Sequence, residues 1–338
     1  MRDHAVAGGV ALALALVAAA CGSSAAPDDA HVPDATTVDA DPTPYLSQTG
    51  LYADIATKAL ASDLIDLTPR YPLWSDGAVK RRWLRLPPGT TIDTSDMDHW
   101  TLPVGAQLFK EFRAPDGTYL ETRLIERVAM TGDDDDDYWR GAFIWRADAS
   151  DAVFAPEGGE NVNGTPHDVP TQVQCATCHG GETGFMLGVS LVQLSGPGEG
   201  TRVADLVAAD RLSDPPVAEF VTPGDATTAA ALGYLHANCG HCHNEGGAAW
   251  PDVDMTLRLS ADDTSPESTA LWQATVGVEV TRFTSPGIVY RVAPGDPDAS
   301  AVVVRMSVRG THDQMPPLAT EVVHADGVEA VRAWITAL

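Results

Sequence analysis

Between about Tyr45 and Val173, short runs of aromatic and β-branched residues alternate with Pro, Gly and Asp. Arg82-Trp83-Leu84-Arg85-Leu86 leads into a Pro87-Pro88-Gly89 turn. Gln107-Leu108-Phe109-Lys110-Glu111-Phe112 precedes Pro115-Asp116-Gly117, a hairpin-type signal. Tyr119 to Met130 and Tyr138 to Arg146 read as further strands. Trp139, Phe143 and Trp145 share one parity, which places them on one face of a strand. Several short strands at this spacing predict a β-rich domain over residues 45–170, either a sandwich or barrel-like. Asp133 to Asp137 falls between two of these strands. It lacks the glycine and spaced ligands of a calcium loop, so it reads as a solvated hairpin tip. Gly196-Pro197-Gly198-Glu199-Gly200 has no Lys and no strand before it, and reads as a turn and not a phosphate loop.

From Pro170 onward the pattern turns helical. Val203, Leu206 and Val207 have helical spacing. Asp225 is placed to cap a helix through Leu232 and Leu235 into Cys239, and Asp298 to cap Ala299 to Met306. Asp326 and Glu329 form a capping-box pattern, followed by Val328, Val331, Trp334, Ile335 and Leu338 on one face. The expected class is α+β and multidomain: the β-rich domain, a segment over 171–222, and an all-α region over 223–338.

The N-terminus carries a different signal. Val10 to Ala20 is an unbroken apolar run, shorter than the ~20 residues a spanning helix needs. It reads as the core of a signal peptide over residues 1–20. Val17-Ala18-Ala19-Ala20-Cys21 resembles a bacterial lipobox, although Ala18 stands where Leu is usual. Cleavage before Cys21 leaves that thiol to carry lipid. Residues 21–44, rich in Ala, Asp, Pro, Thr and Ser, cannot bury a core and read as a disordered tether. A flexible coil of that length reaches about 25–30 Å on average, enough to stand a domain off a membrane. These features place the protein in the periplasm or cell envelope. Gly22 after Cys21 lacks the Asp that favours inner-membrane retention, which points to the outer membrane. The net charge of −26 argues against nucleic acid as a partner and suits steering of a basic redox protein.

The candidate chemistry lies in two motifs, Cys175-Ala176-Thr177-Cys178-His179 and Cys239-Gly240-His241-Cys242-His243. Cys-x-x-Cys-His is the attachment signature of c-type haem. Two thiols form thioethers to the two vinyl groups on one porphyrin edge, and the adjacent His then lies under the iron. Two copies predict two covalent haems c, with His179 and His243 as proximal ligands. A zinc site built from two Cys pairs has them about 15–20 residues apart, much closer than here. Neither zinc nor two disulfides requires a His after each pair. The five cysteines divide into one lipidated and four haem-bound.

The two sites differ. From about Pro223 to Leu338 the chain has the parts of a small class I cytochrome c: a helix into the motif, a long middle stretch, Met315-Pro316-Pro317 and a terminal amphipathic helix. Such cytochromes place a Met sulfur opposite the His. Met315 is the expected sixth ligand, with Met306 as fallback and His312 as a weaker candidate. For the first haem, Met186, His167, His236, His99 and Met97 are all candidates, and an open sixth position is a further option.

Several stretches resemble a bacterial family of exported dihaem c-type cytochromes: Leu46 to Tyr52, Pro72 to Ala78 with Lys80 and Arg82, and Glu121-Thr122-Arg123. So do the two haem motifs, Gly295-Asp296-Pro297, Met315 to Leu318 and Trp334-Ile335. Members of that family are mostly conserved hypothetical proteins with a β-rich region ahead of the haems. The resemblance covers nearly everything after residue 45 and implies electron transfer and haem binding outside the cytoplasm. The expected function is electron transfer between redox partners, without catalysis. The alternative is a dihaem peroxidase-like enzyme with an open first haem, and a haem-based sensor is a third reading.

Overall fold

Tyr138 to Trp145 alternates between two kinds of surroundings, and that alternation organises the molecule. The structure, a computed structural model, describes residues 44–338. The expected signal peptide, the expected lipidation site at Cys21 and nearly all of the expected tether lie outside the described residues.

A short ribbon, β1 (Tyr52–Asp54) with β2 (Ala59–Leu60), precedes a six-stranded antiparallel sheet. The sheet runs in chain order through β3 (Ile65–Asp66), β4 (Val79–Arg85), β5 (Gln107–Arg113), β6 (Tyr119–Arg127), β7 (Tyr138–Trp145) and β8 (Ala152–Phe154). The four long strands match the runs read from the sequence. The β5–β6 hairpin closes at Pro115-Asp116-Gly117, where Ala114 N–H donates to Thr118 O at 2.8 Å. The sheet is an open meander with β3 and β8 at its edges, so the expected sandwich or barrel is corrected. Consecutive hairpins add each strand beside the last, and the end strands are too short to close the sheet.

The outer face packs Trp83, Phe109, Leu124, Phe143 and Trp145 against Leu46, Leu51 and Tyr52. The shared parity of Trp139, Phe143 and Trp145 holds. The inner face sends Leu84, Leu108, Ile125 and Tyr138 into a second core, which continues through Phe185 and Leu232 to Trp334 and Ile335. One apolar cluster thus joins the sheet to Cys239 of the second motif and to Phe185 and Met186 just after the first.

Between β6 and β7 the acidic run forms α1 (Asp134–Asp137). Asp137 is not at a solvated tip: it is buried, and its carboxylate accepts from Thr131 N at 2.6 Å and Gly132 N at 3.2 Å. Gly196 to Gly200 is a turn, as expected, held by Arg202 Nε donating to Gly196 O at 3.1 Å.

The helices that follow are α2 (Cys175–His179), α3 (Leu191–Leu194), α4 (Val203–Ala208), α5 (Ala226–Cys239), α6 (Ala270–Thr275), α7 (Ala301–Met306) and α8 (Ala325–Thr336). Asp225 caps α5, accepting from Thr228 N at 2.8 Å. Asp298 caps nothing: Asp296 caps a preceding 3₁₀ turn and α7 starts after Ser300. The Asp326–Glu329 capping box is also absent, because α8 begins one residue earlier, at Ala325. An all-α region over 223–338 is too strong a description. Helices α6 and α7 are six residues each, and long turns joined by isolated bridges such as Val276–Val292 and Glu279–Tyr290 fill much of this part. Among the described residues no helix is long and apolar enough to cross a membrane.

Phe109 is fully buried at the centre of the outer-face core. Phe109→Ala is expected to destabilise the protein by about 3–5 kcal/mol, read as a lower urea midpoint with unchanged slope.

Candidate functional site

Helix α5 brings the second motif to the core. Its buried side presents Ala231, Leu232, Gly233, Leu235 and Asn238. Gly233 lets the helix lie against the Tyr71 ring, since a Cβ there would sit 2.1 Å from a ring atom. Helix α2 is little more than the first motif itself and starts without a side-chain cap, as the prolines before it implied. The loops after the two motifs meet backbone to backbone. A Cβ on Gly181 would lie 2.5 Å from Gly247 Cα, so the contact requires glycine.

This contact brings the motifs together. A sulfur or ring nitrogen from each of Cys178, His241 and Cys242 lies within 4.8 Å of the others, and Cys242 Sγ is 3.8 Å from Thr177 O. The hydrogen bond from Cys242, together with His241, holds the Cys178 thiol low against the opposing effect of burial. Burial pushes Cys239 up to about 12. Among the described residues the four cysteines form no disulfide. Three soft ligands fall one short of the four a structural zinc site uses, and a metal there would take one thiol from each motif.

Both motifs line one cavity of about 570 Å³, walled on the far side by the inner face of the sheet through Arg82, Leu108, Lys110, Arg123, Ile125 and Arg140. His179 and His243 are both on its wall. His179 Nδ1 donates to Phe185 O at 2.9 Å. In the neutral ring this leaves the Nε2 lone pair for a metal, the usual arrangement of a ligating His. Burial holds His179 down at about 4, and burial aided by Arg305 does the same for His243, so both are neutral and ligand-competent at pH 7. His243 Nδ1 is buried without a hydrogen-bond partner among the described residues. The donor set fits two c-type haems: two thiol pairs, each followed by a neutral His, around one cavity.

Met315 and His243 line this cavity together and also share a second, smaller one of about 100 Å³ with Met255, Leu257, Phe283 and Met306. That second space is apolar but narrow. Met306 is buried in the core, and the His312 side chain is fully exposed beside Asp313; of the three sixth-ligand candidates, Met315 alone reaches both cavities.

At the first site, hydrogen bonding sorts the candidates. His236 Nδ1 accepts from Leu259 N–H at 3.1 Å. Its neutral ring therefore carries the proton on Nε2, which removes that atom as an iron ligand. His99 uses both nitrogens, accepting from Arg258 at Nε2 and meeting Asp96 at Nδ1, each at 3.1 Å. Met97 packs against the core. Met186 and His167 line the cavity, the latter with Nε2 on Glu121 at 2.8 Å. These two keep an uncommitted donor atom.

The segment Pro72 to Ala78, which suggested no chemistry in the sequence, ties the second site together. Asn238, the residue before Cys239, accepts from Trp74 N at 2.7 Å and donates to Pro72 O at 3.3 Å. Trp74 stacks on His324 with ring centroids 4.0 Å apart, and its Nε1 donates to Val322 O at 3.0 Å. Asp76 accepts from Glu321 N and Val322 N, both at 2.9 Å. One loop thus grips both the helix into the second motif and the segment just after Met315. Only the clustering of polar and aromatic residues at 74–76 could have signalled this.

No family model, no curated protein and no solved structure matches this chain.

Burial holds the His236 pKa at about 3, below its ordinary value of 6.5. Its neutral form therefore stabilises the fold fully above pH 6.5, and that contribution is lost as pH falls from 6.5 toward 3. Urea midpoints measured from pH 7 to 4 are expected to fall less steeply in His236→Gln than in the wild type. Trp74→Ala is expected to loosen the segment 315–324, read as faster amide hydrogen exchange there and little change in β5 and β6.

Proposed function

We propose that this chain is an exported electron-transfer protein carrying two covalent haems c. The observation that carries this reading is the meeting of the two Cys-x-x-Cys-His motifs, with Cys178 and Cys242 in one cluster on the wall of a shared cavity. Covalently held haem iron supplies one-electron chemistry, cycling between ferric and ferrous. The chain's own part is to hold and orient. Cys175 and Cys178 fix one haem and Cys239 and Cys242 the other, while His179 is aimed by Phe185 O. Met315 would hold the iron of the second haem together with His243, on a segment braced by Trp74 and Asp76. The α5–α8 helix pair around Trp334 supports a class I-like arrangement for this part. The signal peptide and the lipidation site at Cys21 support an envelope location and a membrane tether, and the charge of −26 supports a basic redox partner.

A second reading, a peroxidase-like enzyme with an open first haem, draws support from the polar wall of the first site. His167 paired to buried Glu121 there is a candidate acid–base group. High-spin ferric haem in the isolated protein, together with turnover of peroxide, would favour it.

Expression in a host that matures c-type cytochromes is expected to give two haems per chain by mass. Cys175→Ala/Cys178→Ala and Cys239→Ala/Cys242→Ala should each remove one. A chain that stays haem-free in such a host sinks the proposal, and bound zinc would redirect it to the Cys178–His241–Cys242 cluster. Near-infrared magnetic circular dichroism of the ferric protein should show one Met-to-iron band. Met315→Ala should abolish that band and lower one of the two potentials, because a thioether ligand raises the potential.

A further inference from the structure

The inner face of the sheet carries a charge pattern that folding alone opposes. Arg82 on β4 stands directly opposite Lys110 on β5, and Lys110 directly opposite Arg123 on β6. Like charges in opposed positions on neighbouring strands, with Cβ atoms about 4.5–5.5 Å apart, repel one another. All three line the cavity that His179 and His243 share. The chain has 47 acidic residues against 21 Lys and Arg, yet this interior row is all cationic.

Compensation reaches one end of the row. Arg123 donates to Glu121 through Nε at 2.8 Å and Nη2 at 2.5 Å. Burial works to raise the Glu121 pKa, but Arg123 and His167 outweigh it and hold the carboxyl at about 2. Arg82 is only 8 % exposed, and among the described residues its guanidinium has no hydrogen-bond or ion-pair partner. Lys110 Nζ lies 4.9 Å from the Phe112 ring centre and has no ion-pair partner among the described residues, although the charge of Glu121, already paired to Arg123, acts on it. Asp168 shares the cavity, but one of its oxygens is engaged by Asn161 N at 2.9 Å. Lys80, next along β4, is taken up by Leu73 O and Ser75 Oγ. Burial pushes Arg82 down to about 10 and Lys110 far below its usual range, with Arg82 and Lys80 adding to the latter. Arg82 is buried and Lys110 partly so, and cations withdrawn from water in this way are costly unless an anion meets them.

We propose that Arg82 and Lys110 form a carboxylate-binding wall, and that the carboxylates they take are haem propionates, above all those of the haem carried by Cys175 and Cys178. This rests on the proposed binding of two haems. A guanidinium presents a planar fork that matches a carboxylate, and propionates are the anionic groups a haem brings into such a cavity. The central strands of the β region then supply the counter-charge for the cofactor. A free small oxyanion offers the same chemistry, and the experiment separates the two sources.

The haem-loaded protein is titrated potentiometrically, with haem content measured on every sample. A haem-free wild type is thus a failure of the haem reading itself and is seen separately. Arg82→Gln and Lys110→Gln are each expected to lower the potential of the haem lacking the Met-to-iron band, because removing a nearby positive charge favours ferric iron. The other potential stays. Arg82→Lys keeps most of the effect. Arg81→Gln, next in sequence but exposed on the opposite face, changes neither. If Arg82→Gln does not accumulate, Lys110→Gln carries the same measurement. In the wild type, exchanging chloride for acetate or phosphate leaves both potentials unmoved. Were the anion to shift a potential in the wild type and not in Arg82→Gln, the wall would take a free oxyanion and the propionate assignment would fall. Potentials unmoved in both Gln variants would overturn the proposal.

Discussion

The loops that follow two motifs with the same ligand set, one a short helix and the other a turn at the end of α5, are pressed together where Gly181 and Gly247 meet without side chains between them. That approach places a thiol of one motif beside a thiol of the other, and both motifs line the cavity on whose wall His179 and His243 lie. Much of the rest of the fold holds this contact in place. The inner-face core runs from the sheet to Trp334 and takes in Cys239, so the second motif is packed against the sheet's own core.

The sheet divides its labour by face. Outward it is an ordinary packed surface of Trp, Phe and Leu under the β1–β2 ribbon. Inward it is apolar at Leu84, Leu108 and Ile125 but cationic along the row from Arg82 to Arg123. Such a row lowers stability on its own, and buried polar exceptions of this kind are characteristic of functional surfaces. The Trp74–Asp76 loop completes the arrangement by coupling β4's approach to both α5 and the Met315 segment. The two proposed cofactor sites therefore share a wall and a brace, and they differ in what lines them: polar and charged around His179, apolar beside His243 and Met315.

The sequence by itself determined the local elements and the chemistry of the motifs. The four long strands, the capped helix into Cys239 and the apolar face of α8 follow from periodicity and from Asp225, which act over a few residues. Cys-x-x-Cys-His likewise names its ligand set within five positions. Asp298 and Asp326 do not cap as their spacing suggests, because α7 begins three residues after Asp298 and α8 one residue before Asp326. Strand pairing, the open edges, the opposition of Arg82, Lys110 and Arg123, and the meeting of Cys178 with Cys242 were decided by tertiary structure alone. Each depends on register or on packing between residues dozens of positions apart. A spacing pattern encodes which face a side chain occupies, but not what stands opposite it.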